Sequence, residues 1–184
     1  SDSEWLVTAD SEWASGRVVW PRDDRPVSVD LERLTLYRSD SEADKGQESE
    51  PQARAFRDLE ISNWPDVDVH IADLNMDGEN AGSWSFQLRP EATQLLVQDI
   101  VGTLKSLTLT GELAWSIAAG REITRFTGDI NGNSLADLGT LVGAEIPFRS
   151  KNTAVKLDID WPGRPDQFDV SGLSGSISVR FDDG

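Results

Sequence analysis

Two stretches rich in Asp and Asn, and a single histidine, are the residues of this chain whose types and spacing suit chemistry. Asp73-x-Asn75-x-Asp77-Gly78 has the oxygen spacing that opens a calcium loop. The closing twelfth position of such a loop is Trp84, where a bidentate Glu is required, so the ligand set is incomplete. Asp129-x-Asn131-Gly132-Asn133 is a weaker version of the same pattern. Asp, Asn and Gly are also what tight hairpins demand, because they tolerate positive φ, and turn chemistry accounts for both stretches. His70 stands between Val69 and Ile71 on the polar phase of an alternating run, which predicts a solvated strand residue. One histidine supports no Ser-His-Asp triad, and no G-x-S-x-G, H-E-x-x-H or phosphate-loop pattern is present. The absence of Cys excludes disulfides, zinc-thiolate sites and thiol catalysis. The expectation is a non-catalytic protein with no metal and no cofactor.

The seven Trp raise a different chemistry, since sugars stack on exposed indoles. Trp5, Trp20, Trp84, Trp115 and Trp161 are in phase with aliphatic neighbours, which points to a core or a groove rather than a sugar platform. Trp13 and Trp64 lack that phase and are the candidates for exposed rings.

Charge removes other classes of partner. There are 33 acidic and 17 basic residues and a net charge of −16, a balance that repels nucleic-acid phosphates. It also leaves no basic patch for an anionic membrane surface. The acids read as solvated faces and loops that keep a β-rich chain soluble. No run of 18 apolar residues exists, so no segment is suited to cross a bilayer as a helix.

The elements that must position these residues are strands. Apolar residues alternate at Trp5, Val7 and Ala9; at Val27, Val29 and Leu31; at Val67, Val69 and Ile71; and at Trp84, Phe86 and Leu88. The longest run is Leu107, Leu109, Gly111, Leu113, Trp115 and Ile117. Phe126, Gly128 and Ile130 follow, then Val155, Leu157, Ile159 and Trp161, then Phe168 and Val170, then Leu173, Gly175, Ile177, Val179 and Phe181. Polar residues such as Thr108, Thr110, Lys156 and Asp158 fill the intervening positions, so each strand has one apolar and one wet face, as in antiparallel sheet. Leu135, Leu138, Leu141 and Val142 instead have helical spacing, with Ser134 and Asp137 forming a capping-box-like pair and Gly143 as a C-cap, so one short helix is predicted near 134–143. Residues 38–54 (RSDSEADKGQESEPQAR) are polar and aperiodic and predict a mobile acidic loop.

A weak internal repeat runs through the chain. Trp20-Pro21, Trp64-Pro65 and Trp161-Pro162 precede Val29-x-Leu31-x-x-Leu34, Val69-x-Ile71-x-x-Leu74 and Phe168-x-Val170-x-x-Leu173. The shift of spacing from two to three means that the chain changes face, through a bulge or a bend. Repetition of such units suggests a sheet lengthened by similar pieces.

The last fifty residues carry a family likeness. Thr127-Gly128-Asp129-Ile130, the DLG segment around Asp137-Leu138-Gly139, the strand running into Trp161-Pro162-Gly163-Arg164-Pro165, and the closing Leu173-Ser174-Gly175-Ser176-Ile177 strand that ends in Asp183-Gly184 stand in this order. In this the chain resembles the C-terminal region of the YhdP branch of the AsmA-like envelope proteins of Gram-negative bacteria. Residues from Trp20 to Trp115 are similar to the preceding repeats of that family more loosely. The acidic 38–54 stretch has no counterpart there, and residues 144–154 lack the Gly-rich turn of the pattern.

The resemblance implies a mostly β fold: an extended, curled, taco-like antiparallel sheet enclosing an apolar groove, formed here by residues 1–184 as a single β-rich domain. Both chain ends read as the cut ends of a larger envelope protein. It further implies a periplasmic fragment of a parent that is anchored in the inner membrane and spans the periplasm. The implied activity is bridge-like phospholipid transport between inner and outer membranes, with other outer-membrane or envelope proteins as further partners. The groove would be lined by Val29, Leu31, Trp84, Phe86, Leu107, Leu109, Leu113, Trp115, Phe126, Ile130, Val155, Leu157, Ile159, Trp161, Phe168, Val170, Ile177, Val179 and Phe181. The same alternation, read without the family, fits a closed β-sandwich binding or assembly module for a sugar or a protein partner, with a core filled by its own side chains.

Overall fold

The computed structural model describes residues 4–37, 64–118, 120–133 and 153–181. These form one ten-stranded sheet in which spatial order follows chain order. The strands are β1 (Trp5–Asp10), β2 (Ala14–Trp20), β3 (Val27–Leu36), β4 (Val67–Met76) and β5 (Glu79–Pro90), then β6 (Gln94–Leu104), β7 (Leu107–Ala118), β8 (Arg121–Gly132), β9 (Thr153–Pro162) and β10 (Ser174–Phe181). β1 and β10 are the two edges and do not pair, so the sheet is open rather than a barrel. The helix expected near 134–143 and the acidic loop expected at 38–54 lie outside the described residues.

Turn chemistry explains the hairpins. Asp77 and Gly78 link β4 to β5 with φ of 54° and 83°, the pair of positive values that a two-residue hairpin needs to match strand twist. The Asp-Asn stretch that resembled a calcium loop is therefore a hairpin, with the Asn80 amide donating to the Asp73 carboxylate across it. Lys105, at φ 50°, opens the equally tight turn from β6 to β7.

Every neighbouring pair is antiparallel except β3 and β4, which run parallel with Val27 beside Val67 and Leu36 beside Met76. The sheet is thus mostly antiparallel, with this one parallel pair inside it. A parallel neighbour cannot be reached by a hairpin, because the chain must return to the end of the sheet where β3 began, and that takes a dozen or more residues. Residues 37–66 lie between the two strands and provide that length. The 31-to-34 and 71-to-74 steps of the repeat sit side by side in this pair, and the β4–β5 register shifts between Ile71 and Leu74. The two-then-three spacing is thus a bulge, which bends and twists the strands.

The third copy of the repeat behaves differently. Phe168 and Val170, expected on a strand, lie in the connection between β9 and β10, which contains short 3-10 turns at Pro165–Gln167 and Val170–Gly172. Pro162 and Pro165 lack the N–H that a ladder requires, and Gly163, at φ 97°, turns the chain out of the sheet.

Stabilising contacts are local to the sheet. All ten strands belong to one sheet and every strand pair with extensive contacts is a pair of sheet neighbours, so no second sheet covers the face among the described residues. Leu107, Ile130 and Val155 form one buried cluster on β7, β8 and β9, with Leu109 and Leu157 against it. Ile71, Leu74 and Ala81 form another, covered by Leu31, Leu34, Val69, Met76, Trp84 and Phe86. A closed sandwich would instead show two sheets around a shared core.

Candidate functional site

Cross-strand register decides which residues share a face, because directly opposed residues in neighbouring strands point the same way. From Leu109 the register runs through Ile130 and Val155 to Val179. From Leu113 it runs through Phe126 and Ile159 to Gly175. In the other direction Leu109 opposes Gly102, Gly102 opposes Trp84, Trp84 opposes Ile71, and Ile71 stands beside Leu31. Leu31 opposes Gly16, which opposes Ala9, and the adjacent row brings Val29, Val18 and Val7 into line. One apolar face therefore crosses all ten strands.

Of the residues expected to line a groove, Val29, Leu31, Trp84, Phe86, Leu107, Leu109, Leu113, Trp115, Phe126, Ile130, Val155, Leu157, Ile159, Trp161, Ile177 and Val179 all fall on this face by register. Phe181 is in register with Thr153 at the end of β10. Val170 is in a 3-10 turn. Phe168 packs edge-on against Trp161, with ring centroids 5.2 Å apart and planes at 85°. The face also includes Leu95, Val97, Ile100 and Leu104 of β6, which the alternation did not single out. Asp99, at φ 49°, sits in a bulge between Val97 and Ile100, and the bulge breaks the period at mid-strand.

The face is neither dry throughout nor fully wet. Leu104, Leu107, Ile130 and Val155 are buried, Leu109, Leu113, Phe126 and Leu157 are half-buried, and Trp5, Val7, Trp20, Ile177 and Val179 towards the two edges are exposed. Two aromatic rings, those of Trp84 and Phe126, lie low on the sheet because glycines stand beneath or beside them. A Cβ built on Gly102 would stand 2.6 Å from the Trp84 ring, and one on Gly128 would stand 2.7 Å from the Phe126 ring. The indole N–H of Trp84 donates to the Ala81 carbonyl at 2.7 Å, and that of Trp161 to the Arg164 carbonyl at 3.1 Å. These bonds fix two rings whose polar edge would otherwise be unsatisfied.

The opposite face is polar and crossed by ion pairs. Arg17 meets Asp30 at 2.7 Å, Arg89 meets Asp68 at 2.6 Å, and Arg125 meets Asp158 at 2.7 Å. The Asp158 carboxylate raises the Arg125 guanidinium above its ordinary value, first by hydrogen bonding and then by charge, with Asp160 adding to it. Such exposed pairs contribute little stability individually; their effect here is to keep the outer face hydrated. His70 is exposed on this face, in register with Asp30 and Ser85.

Tryptophan exposure does not follow phase alone. Trp13 is exposed as expected, but Trp64 is half-buried, while Trp5 and Trp20 stand 62% and 50% exposed although they are in phase with the apolar face. Their position explains this: they oppose each other at the ends of β1 and β2, the edge of the sheet. Together with Val7, Pro21, Arg22 and Asp23 they line a broad, open cavity of about 730 Å³.

The arrangement offers a large apolar surface without donors or acceptors in its middle, and polar groups at its margins. That suits an aliphatic ligand, which needs only exclusion of water. A family model described as YhdP protein matches residues 1–184. No curated protein and no solved structure matches the chain.

Proposed function

This chain belongs to the YhdP family, and from that membership and its one-sided sheet we propose that it forms part of a bridge-like phospholipid conduit of the cell envelope. In this reading the protein is periplasmic, its parent is anchored in the inner membrane, and acyl chains rest on the apolar face as lipid passes between the two membranes. It acts without catalysis and without a cofactor. Its partners are phospholipid and, at the ends of the conduit, other envelope proteins.

The observation that carries this reading is the continuity of the apolar face across all ten strands without a second sheet over it among the described residues. A diacyl phospholipid hides roughly thirty methylenes, each worth about 0.8 kcal/mol when kept from water. A carrier must cover most of them, and repeated aliphatics do so with similar affinity at every step, which lets a lipid slide.

The test is a photo-crosslinking residue at Leu109 or Leu157 in the full protein within intact envelopes, with Thr108 and Asp158 on the opposite face as controls. Phospholipid captured at the first two positions and not at the controls is expected. Absence of lipid at all four positions in a folded protein would return the face to the interior of a binding or assembly module.

A further inference from the structure

One end of the strands is unlike the other. Trp5 opens β1, Trp20 closes β2, Trp161 stands near the end of β9, and Trp115 lies near the end of β7. The pairings Trp5 with Trp20, and Trp115 through Thr124 to Trp161, put all four on the apolar face at the same end of the sheet. Trp64-Pro65 immediately precedes β4 at that end too.

An arginine follows two of the three Trp-Pro pairs, and each lies over an indole of another strand. Arg22, after Trp20-Pro21, places its guanidinium 5.6 Å from the centroid of the Trp5 ring. Arg164, after Trp161-Pro162-Gly163, stands 5.7 Å from the Trp115 ring. The second is held by its backbone. The fully buried Thr124 donates its hydroxyl to the Gly163 carbonyl at 2.8 Å, the Gly163 N–H donates to Glu122, and the Trp161 indole donates to the Arg164 carbonyl. The third Trp-Pro is followed by Asp66, which faces Arg89 at 3.7 Å and places no cation over a ring.

Charge makes Arg22 notable. The chain carries a net charge of −16, and Arg17, Arg25, Arg89 and Arg125 all meet carboxylates. Arg22 makes no ion pair among the described residues and borders the open cavity beside Trp5 and Trp20. A guanidinium kept ordered by an aromatic ring still presents its N–H fork to an anion, and that fork matches phosphate oxygens. Indoles favour the boundary between hydrocarbon and water. A lipid whose chains lie on the apolar face would bring its phosphate to such a margin.

We infer that this end of the sheet is a lip carrying phospholipid headgroups, with Arg22 on Trp5 and Arg164 on Trp115 as two successive stations for the headgroup phosphate. The inference rests on the lipid reading above and adds where the polar end of the ligand is held.

The experiment uses the full protein with vesicles of phosphatidylethanolamine and phosphatidylglycerol. A trace phospholipid carries a photoreactive group on the headgroup in one arm and on an acyl chain in the other. Headgroup label is expected on peptides containing Trp5, Arg22 and Arg164, and acyl label around Leu109 and Leu157. The double substitution Arg22→Gln with Arg164→Gln is expected to lower headgroup labelling at these peptides about tenfold, the effect of losing a charge-assisted hydrogen bond, and to leave acyl labelling in place. Arg→Lys at both positions should retain a large part of the headgroup signal. Headgroup label that ignores the double substitution, or that falls equally on the opposite ends of the strands around Asp77 and Lys105, overturns the stations while acyl labelling still supports the conduit. Loss of acyl label in the unsubstituted protein overturns the conduit and the stations with it.

Discussion

The ring of Trp84 on β5 lies against Gly102 on β6, so close that a Cβ at that glycine would stand 2.6 to 2.8 Å from three ring carbons. The two residues oppose each other in register on the apolar face. Glycine is needed here for space rather than for a special φ: it lets a large ring lie along the sheet and keep its bond to the Ala81 carbonyl. Gly102→Ala would force the ring off its position or push the strands apart, at a cost of about 1–3 kcal/mol. The expected outcome is a lower midpoint of chemical unfolding and a changed near-ultraviolet circular dichroism signal. An unchanged midpoint and spectrum would mean that the ring does not occupy this place.

The uneven burial of the face leads to a second expectation. Ile71 is 5% exposed inside the cluster with Leu74 and Ala81, whereas Leu109, on the same face, is only half-buried. Ile71→Ala should therefore cost about 2–5 kcal/mol through lost burial and a residual cavity. Leu109→Ala removes contacts that are already partly wet and should cost roughly 1 kcal/mol. Urea unfolding of the two variants checks this, and equal losses would indicate that Leu109 is covered as deeply as Ile71.

Much of this organisation is legible from residue order, because in a sheet the side-chain period is two and the phase survives from strand to strand. Leu107, Leu109, Leu113 and Trp115 announce β7 and its buried side without reference to any partner. The bulges at Ile71 and Leu74 are also legible, since a step from two to three can only move the chain across the pleat. β6 is not, because Asp99 interrupts its period and divides it into halves too short to stand out. The parallel pairing of β3 with β4 depends on where the chain re-enters the sheet, which alternation does not encode. Phe168 and Val170 mimic a strand because spacing ignores Pro165 and the turn at Gly163. The lip of Trp and Arg is invisible in the same way: Trp5 with Trp20, and Trp115 with Trp161, come together only through register.

The two edges lead to a third expectation. β1 is exposed along its whole length, with Leu6 at 65%, and on β10 Ile177 is exposed as well. An exposed apolar edge offers unpaired backbone groups to another strand. The chain should associate edge to edge as its concentration rises, and Leu6→Lys with Ile177→Lys should suppress this by placing charge on both edges. Sedimentation velocity at increasing concentration reads the effect. Association that is equally strong in the double variant would have to arise from the apolar face instead.

The connection from β9 to β10 should loosen in acid, and the cause can be traced to one carboxylate. Asp169 accepts the Ser171 backbone N–H at 2.9 Å and the Ser171 hydroxyl at 2.7 Å, and these bonds hold its carboxyl below the ordinary value of 3.8, the backbone bond contributing most. A carboxyl whose value is lowered by folding favours the folded turn fully above the unfolded value. It loses that contribution as pH falls through the lowered one. The turn sits beside Phe168, whose ring meets Trp161. Protection of the Ser171 amide against hydrogen exchange should therefore be constant from neutral pH down to about pH 4 and fall below it, after correction for the intrinsic exchange rate. Asp169→Asn, which keeps the shape but carries no charge, should show reduced protection already at neutral pH, with little further change in acid. A Ser171 amide equally protected on both sides of that value, or an Asn variant with the same acid response as the parent, would show that the carboxylate does not hold the turn.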